Sequence, residues 1–395
     1  MDWYLECSLD GRRVDPAGLP TVCECGQPLL VRYERERPSL AIRSSLLAPR
    51  SSLFAIRGMW RWRPFLPIAN SEQPIALGEG DTPLLEVPRL AARIGLPRAL
   101  VKDEGVNPTG SFKARGLSAA VTRAVFGGAK AFTLPTAGNA GVAASAYGAR
   151  AGVPVRVYAP KTTPAPILAQ IVAYGGDLVL LDGHIGDCGK ASRAYAAESG
   201  AFDLSTLREP YRIEGKKTLG LEIAEQLGWS LPDAIIYPTG GGTGLIGMWK
   251  AFHELRDAGW VSGNLPRMYT VQAAGCAPVV KSFESGADRC EAWAEPWTIA
   301  SGLRVPGPLG DRLMLRALRE SGGGAVAVTD AALALEAREA SRLEGIDFSP
   351  EGGAAVAAAK TLQQQGVLTA KERVVLFNTG AGWLYRNPAE LPPGT

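Results

Sequence analysis

Ala234-Ile235-Ile236-Tyr237-Pro238-Thr239-Gly240-Gly241-Gly242-Thr243-Gly244-Leu245-Ile246-Gly247 runs from a short apolar segment through a glycine turn into a second apolar segment. A brief apolar run closed by Pro and Gly reads as a buried strand. Glycines at its end let successive backbone N–H groups converge on an anion where a helix begins. The unit is therefore strand, anion-binding turn, helix, and similar units flank it. Strands are expected at Ala99–Lys102, Ala131–Leu134, Pro154–Tyr158, Leu178–Leu181, Met268–Gln272 and Val374–Phe377, with Ala234–Tyr237 among them. Helices are expected over Gly138–Ala151, Thr218–Leu227 and Asp330–Leu343. Such alternation calls for parallel sheets covered on both faces, and the units suffice for two open twisted sheets. At 395 residues an α/β chain of two domains plus a terminal extension is expected.

The same turn contains G-x-G-x-x-G at Gly242, Gly244 and Gly247. A dinucleotide site would need an acid at the end of the following strand, to bind a ribose. That strand ends Val271-Gln272-Ala273, without a carboxylate, so a single phosphate group is the better reading.

Composition narrows the partners. Lys and Arg number 42 and Asp and Glu 39, a net charge of +3 that argues against nucleic acid or an anionic membrane as the main partner. Short basic clusters at Arg57–Arg63 and Lys216–Lys217 could bind an anion locally and no more. No apolar run of about 18 residues is present, and the acidic start Met1–Gly11 lacks the apolar core of a signal peptide. Six cysteines scattered from Cys7 to Cys290 do not form a disulfide framework, so a cytoplasmic enzyme is expected. With His184 and His253 the only histidines, a Ser-His-Asp triad or a histidine-rich metal site is excluded as an organising idea.

The first 75 residues differ from the rest. They carry Cys7, Cys23 and Cys25, and the aromatic stretch Met59-Trp60-Arg61-Trp62-Arg63-Pro64-Phe65. A zinc ribbon wants paired C-x2-C steps. Here Asp10 stands where the partner of Cys7 belongs, and Cys23-Glu24-Cys25 is one residue too tight, so a metal-free remnant is expected and no metal is assigned.

Three further turns carry chemistry. Asn107-Pro108-Thr109-Gly110-Ser111-Phe112-Lys113 follows a strand and opens a helix, with Asn107 to Ser111 as capping residues. An ammonium in that first turn opposes the helix dipole, which favours the neutral, nucleophilic amine that Schiff-base chemistry needs. Thr136-Ala137-Gly138-Asn139-Ala140-Gly141 is a second strand-to-helix junction, whose small residues admit a flat ligand or a carboxylate and whose Asn139 can donate while capping. Phe377-Asn378-Thr379-Gly380 ends the last strand, where a hydroxyl could meet a ring nitrogen or the turn could be structural only.

Together these motifs resemble the threonine synthases, within the fold-type II pyridoxal-phosphate enzymes. The likeness extends through Gly78-Glu79-Gly80-Asp81-Thr82-Pro83-Leu84, Lys102-Asp103-Glu104-Gly105, Pro210-Tyr211-Arg212-Ile213-Glu214-Gly215-Lys216-Lys217-Thr218 and Ser301-Gly302-Leu303-Arg304. The resemblance implies pyridoxal 5'-phosphate held by Lys113, with Phe112 near the ring and Asn139 on the ring oxygen. Gly240, Gly241, Gly242, Thr243 and Gly244 would hold the cofactor phosphate, and Thr379 would face the pyridine nitrogen. Thr136 and the N–H groups from Gly138 onward would receive the substrate carboxylate. Arg212, helped by Lys216, would take the phosphate of O-phosphohomoserine, which with water would yield threonine and phosphate. A homodimer is also implied. The implied division is an extension over 1–75, a large domain from 76–115 and 215–390, and a smaller inserted domain over 116–214.

Three positions depart from the family pattern: Ala114 replaces an acid, Ala140 a hydroxyl, and Trp383 with Leu384 stand where Leu-Lys is usual. They leave room for β-replacement or ammonia-lyase chemistry on phosphoserine, serine or threonine, and for a non-catalytic homologue that only binds the cofactor.

Overall fold

Burial determines how the strands pair. The structure, a computed structural model, describes residues 3–34 and 58–386. Expectations about Arg57 and the tail beyond Arg386 lie outside those residues. Near the N-terminus β1 (Trp3–Cys7), β2 (Arg13–Val14) and β3 (Leu29–Tyr33) form an antiparallel sheet in the order β2-β1-β3. Along β1 alternate residues are buried, the period of a sheet with one wet face.

β4 (Leu84–Glu86) and β5 (Ala99–Asp103) belong to a larger sheet that the chain then leaves. It next builds β6 (Phe132–Pro135), β7 (Val155–Pro160), β8 (Asp177–Leu181) and β9 (Phe202–Asp203), a separate sheet in the order β8-β7-β6-β9. It returns to the first with β10 (Ala234–Pro238), β11 (Arg267–Ala273), β12 (Gly324–Val328) and β13 (Val374–Asn378), in the order β12-β11-β10-β13-β5-β4. Every pairing in these two sheets is parallel except β4 with β5. All five residues of β10 and of β13 are buried, as strands covered on both faces require.

Five helices position the site: α1 (Lys113–Phe126), α2 (Asn139–Ala151), α3 (Tyr211–Gln226), α4 (Thr243–Asp257) and α5 (Pro350–Gln364). α3 begins at Tyr211 rather than at Thr218, so Arg212 and Lys216 are helical. Its charged residues disguise a helix in which 14 of 16 residues are buried, and a helix buried all round must neutralise what it carries. Arg115 of α1 does this: its Nη1 and Nη2 each donate to Glu222 at 2.7 Å, its Nε donates to Glu104 at 2.7 Å, and Lys102 reaches Glu222 at 3.0 Å. The backbones meet closely, since a Cβ on Gly215 would lie 2.1 Å from the Arg115 carbonyl oxygen.

In parallel sheets ligands bind beyond the carboxyl ends of the strands, where successive strands leave in opposite directions. Those points fall between β10 and β13 in one sheet and between β6 and β9 in the other. Among the described residues no helix is long and apolar enough to cross a membrane.

Candidate active site

The turns after β5, β6, β10 and β13 close on one cavity, lined by Phe112, Lys113, Asn139, Gly240 to Gly244 and Thr379. It opens into a cleft of about 550 Å³ that Lys113, Thr136, Gly138, Asn139 and Gly241 also line. The four turns picked out in the sequence therefore meet, although their residues span more than 270 positions.

Lys113 is the first residue of α1, and Nζ lies 4.5 Å from the centre of the Phe112 ring. It is half-buried, touching the cleft but otherwise surrounded by protein. Burial, then the nearby Arg212 charge, push its pKa down to about 7, against an opposing pull from Glu351. Desolvation, more than the helix dipole, makes this amine available near neutrality. The turn before it is fixed by Asn107, which accepts from Gly80 N at 3.0 Å and donates to Glu104 Oε2 at 2.7 Å. Asn107 thus braces the loop instead of capping α1, whose cap position is Phe112 with no side-chain bond.

At α2 the capping expectation is likewise corrected. Thr136 Oγ1, not Asn139, accepts from the N–H groups of Gly138 and Gly141, both at 3.1 Å. Asn139 is left with its Oδ1 unpaired, and its Nδ2 donates to Tyr385 Oη at 3.3 Å. The Thr379 carbonyl accepts from Phe112 N at 3.0 Å, locking the last strand's turn to the lysine turn.

The glycine loop needs its glycines. A Cβ on Gly240 would sit 2.3 Å from the Gly302 carbonyl, and one on Gly242, at φ +80°, 2.1 Å from Met314 Sδ. The first amides of α4 point outward from a helix start, where no helical carbonyl can meet them.

Arg212 is sealed in. Only Nη1 has a hydrogen bond, to Leu204 O at 2.8 Å, while Nε and Nη2 are buried without a partner. Glu209 lies 3.9 Å away, and burial raises that acid to about 7 despite Arg212, which weakens it as a counter-ion. Lys216 is buried behind the Phe112 ring, 3.9 Å from its centre, and donates to the Phe112 carbonyl. Burial and the charges of Lys113 and Arg212 hold it well below the usual lysine range. Neither residue lines the cleft, whose wall carries Arg193, Arg208 and Arg304 instead.

Glu351 and Tyr385 were missed as site residues. Both line the inner cavity, and Glu351 Oε1 accepts from Tyr385 Oη at 2.9 Å and Gly302 N at 2.8 Å. Burial raises the pKa of Glu351 above the usual carboxyl value. In the sequence, Ser349-Pro350-Glu351 reads fully as a helix start: cap, N1 proline, first-turn acid. That explanation hides any other.

Pyridoxal phosphate, which the resemblance implies, fits these residues: a lysine near neutrality, a glycine cradle that any side chain would fill, an aromatic wall, and an asparagine with one unpaired end.

Residues 75–380 match the family described as pyridoxal-phosphate dependent enzyme. The chain is 36% identical over 323 residues to a threonine synthase of Methanosarcina acetivorans, covering 82% of this chain and 79% of that protein. With a threonine synthase of Methanocaldococcus jannaschii it shares 33% over 377 residues, 95% of this chain and 91% of the other. Among solved structures, maize serine racemase superimposes with a TM-score of 0.67 at 22% identity, over 78% of this chain and 89% of that one. The last likeness speaks for the fold.

Proposed function

Because this chain belongs to the threonine synthase family of pyridoxal-phosphate-dependent enzymes, we propose that it converts O-phosphohomoserine and water to threonine and phosphate. The observation that carries the substrate is Arg212. A buried guanidinium with two unpaired nitrogens and a weakened carboxylate beside it lacks an anion, and its planar fork fits a phosphate as well as a carboxylate.

When bound, pyridoxal phosphate supplies an electron sink for charge developing on the substrate. The protein does the rest. Lys113 would hold the cofactor and, with its amine near neutrality, take the proton from the substrate Cα; a Cβ proton would follow, so that phosphate can leave, and Cγ and Cα would then regain protons. The amides of Gly240 to Gly244 would receive the cofactor phosphate, Asn139 would bond the ring oxygen, and Phe112 would lie near the ring. Thr379 would offer the ring nitrogen a neutral hydroxyl. Thr136 shapes the turn whose N–H groups, from Gly138 on, receive the substrate carboxylate. Arg212 and Lys216, which line neither the cavity nor the cleft here, would reach the substrate phosphate only once the wall over them shifts; the phosphate would leave from Cγ before water adds at Cβ. Arg193, Arg208 and Arg304 give the cleft a positive wall that favours entry of an anion. Action in the cytoplasm as a homodimer completes the reading, and a solution mass of twice the monomer would support the dimer.

The test is a panel of O-phosphohomoserine, phosphoserine, serine and threonine, scored separately for phosphate, ammonia and threonine. Equimolar threonine and phosphate from the first substrate alone are expected. Ammonia and a keto acid from serine or threonine, with the first left unchanged, would overturn the proposal in favour of an ammonia-lyase.

A further inference from the structure

The N-terminal sheet gathers four potential metal ligands that the sequence spacing had argued against. One thiol each from Cys7, Cys23 and Cys25 and a carboxylate oxygen of Asp10 all lie within 4.8 Å of one another. Cys7 Sγ and Cys25 Sγ are 3.5 Å apart. In a tetrahedral zinc site with thiolates at about 2.3 Å, the edge between neighbouring ligand atoms is about 3.8 Å. The cluster is thus already close to the size of a zinc coordination shell.

Its construction explains why the tight Cys23-Glu24-Cys25 step does not matter. Cys7 ends β1 and Asp10 lies in the turn that follows, closed by Cys7 N to Arg12 O at 2.8 Å and Gly11 N to Cys7 O at 3.1 Å. Cys23 opens a second turn, closed by Gly26 N to Cys23 O at 2.7 Å and Cys23 N to Gln27 O at 3.0 Å. Gly11 and Gly26, at φ +72° and +79°, let both chains fold back sharply. The two turns face one another, each giving one buried cysteine and one exposed ligand. A disulfide would use two of the three thiols and leave the third thiol and Asp10 without a role. A divalent metal uses all four.

We propose that Cys7, Asp10, Cys23 and Cys25 bind one zinc ion, as a closed structural site that clasps the two turns. Binding displaces the thiol protons to solvent, and no electron is transferred. The clasp holds β1 and β3 in register against α3: Trp3 stands edge-on to Tyr211 at 5.7 Å, and Tyr33 Oη donates to Glu214 Oε2 at 2.5 Å. None of the four ligands lines the cavity or the cleft of the proposed active site, so zinc loading and cofactor loading can be read independently.

The full-length holoenzyme, purified under reducing conditions from zinc-supplemented cells, is analysed for metal after gel filtration. One zinc per chain is expected. Cobalt(II) put in its place should show thiolate-to-metal charge-transfer absorption, and X-ray absorption should count three sulfurs and one oxygen. Asp10→Ala should release zinc to a chelator at least ~10-fold faster, since even loss of an outer-shell partner costs that much, with the cofactor's visible absorbance unchanged. Cys23→Ser should lose the metal. If that variant does not fold, the cobalt and X-ray spectra of the unaltered chain decide. Background zinc with all three thiols free, a Cys7–Cys25 disulfide in the freshly reduced protein, or zinc that Asp10→Ala and Cys23→Ser leave untouched would each overturn the proposal.

Discussion

At Lys113 two opposed forces set the working pH. Burial and Arg212 favour the neutral amine while Glu351 favours the ammonium, and the balance lies at about 7. Protein stripped of cofactor should therefore take it up faster as pH rises through about 7, then level off, which stopped-flow absorbance would follow. A buried ammonium is disfavoured relative to the unfolded chain. The stripped protein thus bears a penalty below about pH 7 that fades as pH rises and is gone once the unfolded lysine also loses its proton. Lys113→Met should lift that penalty, raising the low-pH melting temperature while abolishing activity. Arg212→Ala should raise KM for a phosphorylated substrate roughly 10- to 150-fold, the worth of a charge-assisted contact of about 1.5–3 kcal/mol. It should also move the uptake midpoint upward, because one cause of the low pKa is gone. An unchanged KM with an unchanged midpoint would remove Arg212 from the site. Thr379→Asp, by stabilising a protonated ring nitrogen, should cut threonine formation and raise deuterium exchange at Cα, whereas Thr379→Ser should be mild. If the two variants behave alike and near the unaltered protein, Thr379 is a turn residue only.

Among the elements, the glycine loop is the one that sequence describes best. Its proposed role needs backbone and no side chain, and glycine in the right order after an apolar strand is visible in the sequence alone. Gly240→Ala tests this directly: with a Cβ driven to 2.3 Å from the Gly302 carbonyl, the loop must shift. Cofactor affinity should fall at least tenfold by equilibrium dialysis, with little change in far-UV circular dichroism. Strands β5, β6, β7, β10, β11 and β13 were equally legible, because burial on both faces writes a continuous apolar run. β9, two residues long, and β12, with four of its five residues only partly buried or exposed, write no such signal. The start of α3 was hidden because its charges look like a solvated face, and only the structure shows Arg115, Lys102 and Lys250 answering them. Asn107 and Asn139 were read as caps for a related reason. Each looks like a local cap, but contacts more distant in sequence, with Gly80 and Tyr385, prevail.

Over the whole molecule, the buried group of Arg115, Glu104, Glu222 and Lys102 joins β5, α1 and α3. Removing one member strands the others' charge, so Arg115→Met should destabilise by about 3–5 kcal/mol in urea unfolding. Replacing several members together by apolar residues should recover much of the loss. Burial by itself would raise the pKa of Glu222, but Arg115 and Lys102 outweigh it and hold the carboxyl below its usual range. The stabilisation is then complete near neutrality and drains away as pH falls through the carboxylate range. α3 shows what this architecture asks of the gene. Around one helix it presents Tyr211 and Glu214 to the N-terminal sheet, Arg212 towards Lys113, Gly215 to α1, and Glu222 to the buried charges. A substitution disturbs one of these contacts. An inserted codon would turn everything beyond it by about 100° and break most of them together. Between Tyr211 and Gln226 the chain should tolerate no change of length.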